Sequence, residues 1–427
     1  MPERYGAVMD AGLEAAAELA AGLPPDVDLV VVRAGTRTIL AWEPSAVIRS
    51  SGPLAFGRLD DLGAGWWAGA LSYDLGRDLE AAGGRPTPDF DVPDVLLARF
   101  ERRAVFAPDG SANDARSAAA IRAARLRRPG PAASAAAHRG GLGAGASSLD
   151  RDGFESRVRA LHGLIAAGDV YQVNLTRRIL WDQPADDVSL FRALLETSPS
   201  PHAALVRIGG VSVVSASPEC FLRWRDGTVV SRPIKGTGVD PGALVANPKE
   251  RAENTMIVDL SRSDLSRVCA PGSIDVAHLC EPEEHPGLVH LVSTVDGAFA
   301  PGIGLADVLR ATLPPASVTG APKPRALQVI DDFEPVRRGY YCGALGWMDT
   351  RRGTGDLSVA IRTFTIAGGR TALGVGSGIV ADSHPAREWE ETELKAARLL
   401  EAVARPGAAV RPGAAVRPTA GVEGPVR

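Results

Sequence analysis

The sequence has little that would place its 427 residues in a membrane or carry them out of a cell. No apolar run approaches the ~18–20 residues needed to cross a bilayer, so no transmembrane helix is expected. The first residues, MPERYGAVMD, carry charges of both signs and no apolar stretch. No secretory signal is read there, and a cytoplasmic location is expected. Cysteine is scarce: Cys220, Cys269, Cys280 and Cys342 show neither a C-x-x-C nor a zinc-type spacing. Reduced, buried thiols are expected rather than bridges or metal ligands. No dinucleotide fingerprint follows a strand and no Walker-type phosphate loop occurs, so a nucleotide cofactor is not indicated. Neither sign of charge dominates, with 47 Lys and Arg against 51 Asp and Glu for a net −4. That excludes a nucleic acid or membrane partner held by bulk electrostatics, although local arginines and amides can still hold a small anion.

What is present is the balance of a soluble globular protein, 45% hydrophobic and 23% charged, with length for one large core or two ordinary domains. Residues 1–128 read as a mixed α/β region, with a helix over Asp10–Ala21, strands over Val27–Arg33 and Arg37–Trp42, and a basic helix over Ala115–Arg128. Residues 129–149 are mostly Ala, Gly, Ser and Pro and read as a linker or exposed loop. In residues 404–427 the hexapeptide RPGAAV recurs at Arg405 and Arg411 and decays at Arg417, so a disordered tail is expected. Between 150 and 403, six helical stretches alternate with strand-like runs, among them one continuous strand over Asp356–Thr365. Short turns such as Ile208-Gly-Gly-Val211 and Arg225-Asp-Gly-Thr228 join neighbouring strands as hairpins. The expected class is therefore α+β with a largely antiparallel sheet.

Several charges sit where apolar residues should be. Glu253 falls on the stripe of Met256, Ile257 and Leu260, and at about 100° per residue Lys249 and Arg251 lie off that face. A buried carboxylate needs a cation or several donors, and a divalent metal is one candidate. Glu388, Glu391 and Lys395 share one face of the last helix, which is either a solvated acidic face or part of a hard-oxygen site. The run Gly374-Val-Gly-Ser-Gly378 is either a plain turn or a nest of amides for an anion. Arg362, with apolar Ala360 and Phe364 at i±2, either alternates outward or clamps a carboxylate. His290 between Val289 and Leu291 reads as a satisfied core histidine or a site residue, and Lys235 in Pro233-Ile-Lys-Gly as a turn lysine or a desolvated nucleophile.

These positions lie inside longer motifs: GDVYQVNLTRR from Gly168, SASPECFL from Ser215, RPIKGTG from Arg232 and KERAENTMIVDLSRSDLSRV from Lys249. They continue with HLVSTVDG from His290, PPASVTGAPKPRALQVIDDFEP from Pro314, YCGALGW from Tyr341, DLSVAIRTF from Asp356 and GVGSGIVADSHPAREWEET from Gly374. Together, over Asp150–Val403, they resemble the chorismate-utilising enzymes, a family that includes anthranilate synthase component I, aminodeoxychorismate synthase component I, isochorismate synthase and salicylate synthase. The resemblance implies two packed, roughly orthogonal antiparallel β-sheets with outer helices and the site between them. It implies Mg²⁺ held at Glu253, Glu388 and Glu391, with the ring carboxylate of chorismate on the metal. Arg362, Lys395, Gly376, Ser377 and Gly378 then form the carboxylate-binding set, His290, Thr319 and Gly320 line the pocket, and Glu219 is the general acid for the leaving C4 hydroxyl.

Within that resemblance two positions sort the chemistry. Gln172 stands where water-using members carry a lysine base, and a glutamine cannot take that proton. Lys235 stands where the anthranilate-forming members carry alanine and the aminodeoxychorismate-forming members carry lysine. Such a lysine can attack C2 and expel the C4 hydroxyl, after which ammonia enters at C4. The implied reaction turns chorismate and ammonia into 4-amino-4-deoxychorismate, towards p-aminobenzoate and folate. The alternatives are anthranilate formation and a non-catalytic chorismate-binding partner. No cysteine sits in a glutaminase context, so ammonia is expected from a separate glutamine amidotransferase subunit, component II. Ser263, Ser266 and Trp347 depart from the family pattern.

Overall fold

The fold follows from strands whose alternate residues face different layers. In Leu29–Ala34, Leu29 and Val31 enter one apolar cluster and Val30 and Val32 another. Trp66–Leu71 alternates likewise, Trp66, Ala68 and Ala70 on one face and Trp67 and Leu71 on the other. Both strands are buried on two sides, as a central layer requires. The structure, a computed structural model, describes residues 10–79, 86–126, 141–285 and 288–405.

Two sheets result, each of ten strands, and every strand pair within them is antiparallel among the described residues. The first runs in the order Gly320–Ala321, Gln172–Trp181, Arg370–Ile379, Thr363–Ala367, Val211–Ser217, His202–Ile208, Leu29–Ala34, Arg37–Trp42, Arg103–Phe106. The second runs Ile234–Gly238, Leu288–Ala298, Thr228–Arg232, Cys220–Arg225, Thr354–Val359, Ala344–Asp349, Trp66–Leu71, Val95–Arg99, Ala46–Ser50. Val30, Val206 and Val213 of the first sheet meet Trp66, Leu96 and Leu345 of the second in one core. Helices Ala11–Ala21, Asp187–Thr197 and Pro385–Ala404 cover the outer face of the first sheet, Lys323–Phe333 packs on that sheet's edge strands Gln172–Trp181 and Gly320–Ala321, and Pro248–Ser266 packs on the second sheet. The class is α+β, as the turns and periodicity had implied.

Residues 29–106 contribute strands to both sheets, so the region before residue 128 is woven into the same cores as the rest. Of the expected linker, residues 129–140 lie outside the described residues, as do the last two of the expected helix Ala115–Arg128. The linker's end is part of the fold: Leu142 is buried, its N–H donates to the Val403 carbonyl, and Ala146–Ser147 pairs with Ile179 and Leu180. The expected tail lies outside the described residues from 406 onward. All four cysteines are buried and free. No described helix is long and apolar enough to cross a membrane.

One expected strand is two. Thr354–Val359 belongs to the second sheet and Thr363–Ala367 to the first, and the chain crosses between them at residues 360–362. Arg362 sits at the corner with φ +51, a left-handed conformation that a non-glycine residue adopts only when its surroundings hold it there. An unbroken alternation cannot reveal such a corner. The hairpin of Asp275–His285 with Leu288–Ala298 also went unread, because its outer strand is largely exposed and lacks an apolar face.

Candidate active site

The edges of the two sheets approach one another at one end of the molecule. From the first come Gln172, the turn before Gly320, and Gly376–Gly378; from the second come Lys235 and His290. A Cβ built on Gly378 would stand 3.2 Å from Gln172 Nε2 and 3.8 Å from Lys235 Nζ, so a bare backbone lets these two side chains meet. The glycine run is neither a nest nor a turn. It is extended strand, paired residue for residue with Gln172–Trp181, and its missing side chains serve close approach.

Lys235 is half-buried, and its amine makes no hydrogen bond or ion pair among the described residues. Burial lowers its pKa, aided by the charge of Lys395 and opposed by Glu219, Glu253 and Glu391. Four of the expected site residues thus act on one amine. Asn254, not singled out in the sequence, fixes the strand that carries it. Its Nδ2 donates to the Leu291 carbonyl at 3.0 Å and to the Lys235 carbonyl at 3.3 Å, and its Oδ1 accepts from Ser293. The available signal was a polar residue on the buried side of an otherwise amphipathic helix, Pro248–Ser266.

Glu219 is 4% exposed, and burial pushes its carboxyl up to about 7, with the Ser317 hydroxyl, the Lys235 charge and the Ile234 N–H opposing. A carboxyl with that pKa carries a proton to give at neutral pH, which is what a general acid requires. His290 is buried, its Nδ1 2.9 Å from Thr237 Oγ1, and burial and Arg362 bring its pKa down to about 3. It is a neutral ring under ordinary conditions. The Arg362 guanidinium makes no hydrogen bond, ion pair or ring contact among the described residues, its backbone carbonyl alone accepting from the Ala216 N–H; burial, then Arg398, lowers its pKa. An arginine withdrawn from water without an anion is a ready receptor for a carboxylate. Thr319 is fully buried, its hydroxyl donating to the Pro315 and Ala316 carbonyls, and Gly320 lies against the Gln172 carbonyl. Gln172 itself is fully buried with both amide atoms unpaired.

The carboxylates expected to bind metal are arranged unevenly. Glu253 is only half-buried at the rim of its helix face, and Lys249 Nζ reaches to 3.9 Å of it, contrary to the expectation that no local cation would. A long side chain one turn away can fold back along the helix surface. Burial raises the pKa of Glu253, and Glu391 is among the charges that add to the rise, so the two face a common space. Glu391 pairs with Lys395 at 2.6 Å, and Lys395 also donates to the Gly376 carbonyl at 3.0 Å. Glu388, one turn earlier, is buried and accepts from the Ser377 hydroxyl. Among the described residues no three acidic, histidine or cysteine side chains are gathered as a metal cluster. Oxygen donors alone, on two helices facing one space, are the donor chemistry that suits Mg²⁺.

A family profile for chorismate binding enzymes matches residues 36–401. The chain belongs to the chorismate-binding enzyme family. Aminodeoxychorismate synthase component 1 of Klebsiella aerogenes is 37% identical over 350 residues, covering 78% of this chain and 76% of the relative. Anthranilate synthase component 1 of Thermus thermophilus is likewise 37% identical, over 355 residues, with the same shares covered. The crystal structure of anthranilate synthase component I from Streptococcus pneumoniae superposes with a TM-score of 0.75 at 28% identity, covering 86% of this chain and 92% of that one. The profile begins in the turn just before the second N-terminal strand, so the family fold includes most of the region before residue 128. This chorismate-binding enzyme is equally similar to relatives that bear two different reaction names, and overall identity does not choose between them.

Proposed function

We propose that the protein aminates chorismate at C4, giving 4-amino-4-deoxychorismate, with Lys235 as nucleophile, Glu219 as general acid and Mg²⁺ as cofactor. The observation that carries this reading is the Lys235 amine: half-buried, without a hydrogen-bond or ion-pair partner among the described residues, and within charge reach of an acid that holds its proton near neutral pH. In the anthranilate-forming relatives the resemblance places alanine there. Arg362 and the Gly376–Gly378 backbone would hold the carboxylates, and Gln172, which cannot act as a base, would keep water from the role of nucleophile. Glu253, Glu388 and Glu391 would hold the magnesium, which when bound neutralises a ring carboxylate and fixes the substrate. Glu219 then protonates the C4 hydroxyl, without which hydroxide is a very poor leaving group. Ammonia would come from a separate glutaminase subunit, in keeping with the "component 1" of the relatives' names.

The test is product analysis of the purified chain with chorismate, Mg²⁺ and ammonium, coupled to aminodeoxychorismate lyase. Expected are p-aminobenzoate, no activity from glutamine alone, and loss of turnover after chelation that added Mg²⁺ restores. Fluorescent anthranilate with no p-aminobenzoate would transfer the protein to the other amination.

A further inference from the structure

Glu219 also borders a small cavity whose lining includes Ser317, Ser261, Asp264, Thr312 and Pro315 but not Lys235. It has about 20 Å³ of room for water centres, against the ~10–15 Å³ that one buried water needs. Its walls are polar where they matter. The Ser317 hydroxyl is buried and makes no hydrogen bond of good geometry, yet lies close enough to the Glu219 carboxyl to act on it. At the far wall Lys323 Nζ holds Asp264 at 2.6 Å and the Thr312 carbonyl at 2.9 Å. An orphaned buried hydroxyl costs free energy unless a water satisfies it.

We propose that this cavity is the route by which Glu219 regains its proton from water, with the Ser317 hydroxyl as the last donor. The inference rests on the amination reading above. In that reaction Glu219 gives its proton to the C4 oxygen, the C–O bond breaks with its electron pair, and water departs. The ammonia lone pair then forms the C4–N bond while the Lys235 nitrogen leaves C2 with its own pair, restoring the free amine. The product nitrogen leaves as an ammonium, so all three ammonia hydrogens stay with it. Glu219 is left as a carboxylate, one proton short, while bound product covers its front. A proton enters from solvent acid past Asp264 and is relayed through the cavity water and the Ser317 hydroxyl to Glu219, each oxygen giving one proton as it takes another, so no hydroxide is left behind. The titratable groups near this route are Lys235, which acts on Glu219, the Asp264–Lys323 pair at the cavity wall, and the Cys220 thiol, which burial keeps neutral.

The experiment uses the full chain with chorismate, Mg²⁺ and ammonium, comparing wild type, Ser317→Ala and the cavity-filling Ser261→Val. For Ser261→Val the first turnover, measured by quenched flow from enzyme equilibrated at pH 6, is expected within twofold of wild type. Its steady-state kcat falls about tenfold and its solvent deuterium effect on kcat grows, with KM for chorismate unchanged. Ser317→Ala shows the same loss in kcat, and Ser317→Thr restores it. A steady-state kcat and isotope effect equal to wild type in both variants overturns the route. So does an equal loss in the first turnover of Ser261→Val, which marks a structural defect. A wild-type enzyme that yields no aminated chorismate would instead remove the reading on which the route depends.

Discussion

The two walls of the site differ in regularity. On the first-sheet side, Arg370–Ile379 pairs with Gln172–Trp181 in unbroken register from Thr371 opposite Trp181 to Ile379 opposite Val173. On the second-sheet side, register slips between Ile234 and Thr237, the interval that contains Lys235. It slips again between Cys220 and Leu222, beside Glu219. Irregularities of this kind re-aim side chains that a regular ladder would send to alternate faces. The regular wall carries groups suited to holding a substrate, and the irregular wall carries the two groups suited to reacting with it. Asn254, bonded to the Lys235 carbonyl, shows what keeps the slipped strand in place.

If that division is real, damage to the irregular wall should fall on kcat and damage to the regular wall on KM. The largest effect is expected at Lys235. Lys235→Ala should lower aminodeoxychorismate formation by several orders of magnitude, with KM for chorismate little changed. Mass spectrometry of wild type quenched with chorismate in the absence of ammonium should show a covalent adduct on Lys235. Normal product from Lys235→Ala at the wild-type rate would remove the covalent step. Arg362, at the corner where the chain passes from the second sheet into the first, is counted with the substrate-holding groups, and Arg362→Gln should raise KM for chorismate by roughly 10- to 100-fold, the loss of about 1.5–3 kcal/mol from a charge-assisted bond. Its kcat should stay within a few-fold. A collapse of kcat at unchanged KM would show that the walls do not divide the work in this way.

The smallest effect concerns stability rather than rate. Burial raises Glu219 from 4.5 in the unfolded chain to about 7 in the fold. Below 4.5 the carboxyl is protonated in both states, and its burial is not penalised by ionisation. Above 7 it must ionise inside the protein, and stability is lost. Glu219→Gln should therefore stabilise the fold at pH 8 by at most about 3 kcal/mol and not at pH 4. Thermal melts at the two pH values check it, and an equal gain at both would mean that ionisation is not the cause.

Much of this site was legible in the sequence because its residues broke local rules. Glu253 on an apolar helix stripe and a lysine in an apolar turn stand out without any alignment, whereas the burial of Glu388 did not, since its helix face read equally as a solvated acidic one. Arg362 was found for partly the wrong reason: it was read as an inward residue of one strand, whereas it occupies a strained corner between two. The joining of Leu29–Ala34 to His202–Ile208 was illegible, since nothing in either apolar run says which other run it will pair with. The cavity behind Glu219 was illegible too, because a serine in Ala316-Ser-Val reads the same whether or not its hydroxyl has a partner.

The interleaving of early and late strands sets a rule for anyone cutting this gene. Residues 150–403 alone hold every proposed catalytic group, and look in sequence like a portable unit. Yet in the first sheet His202–Ile208 would lose its neighbour Leu29–Ala34, and in the second Ala344–Asp349 would lose Trp66–Leu71. Two apolar strand rims, interior in the whole protein, would then be offered to any other chain in the cell. A minimal expression fragment would be shorter only on paper; the practical cloning boundary lies ahead of residue 29, not at the glycine-rich stretch that invites the cut.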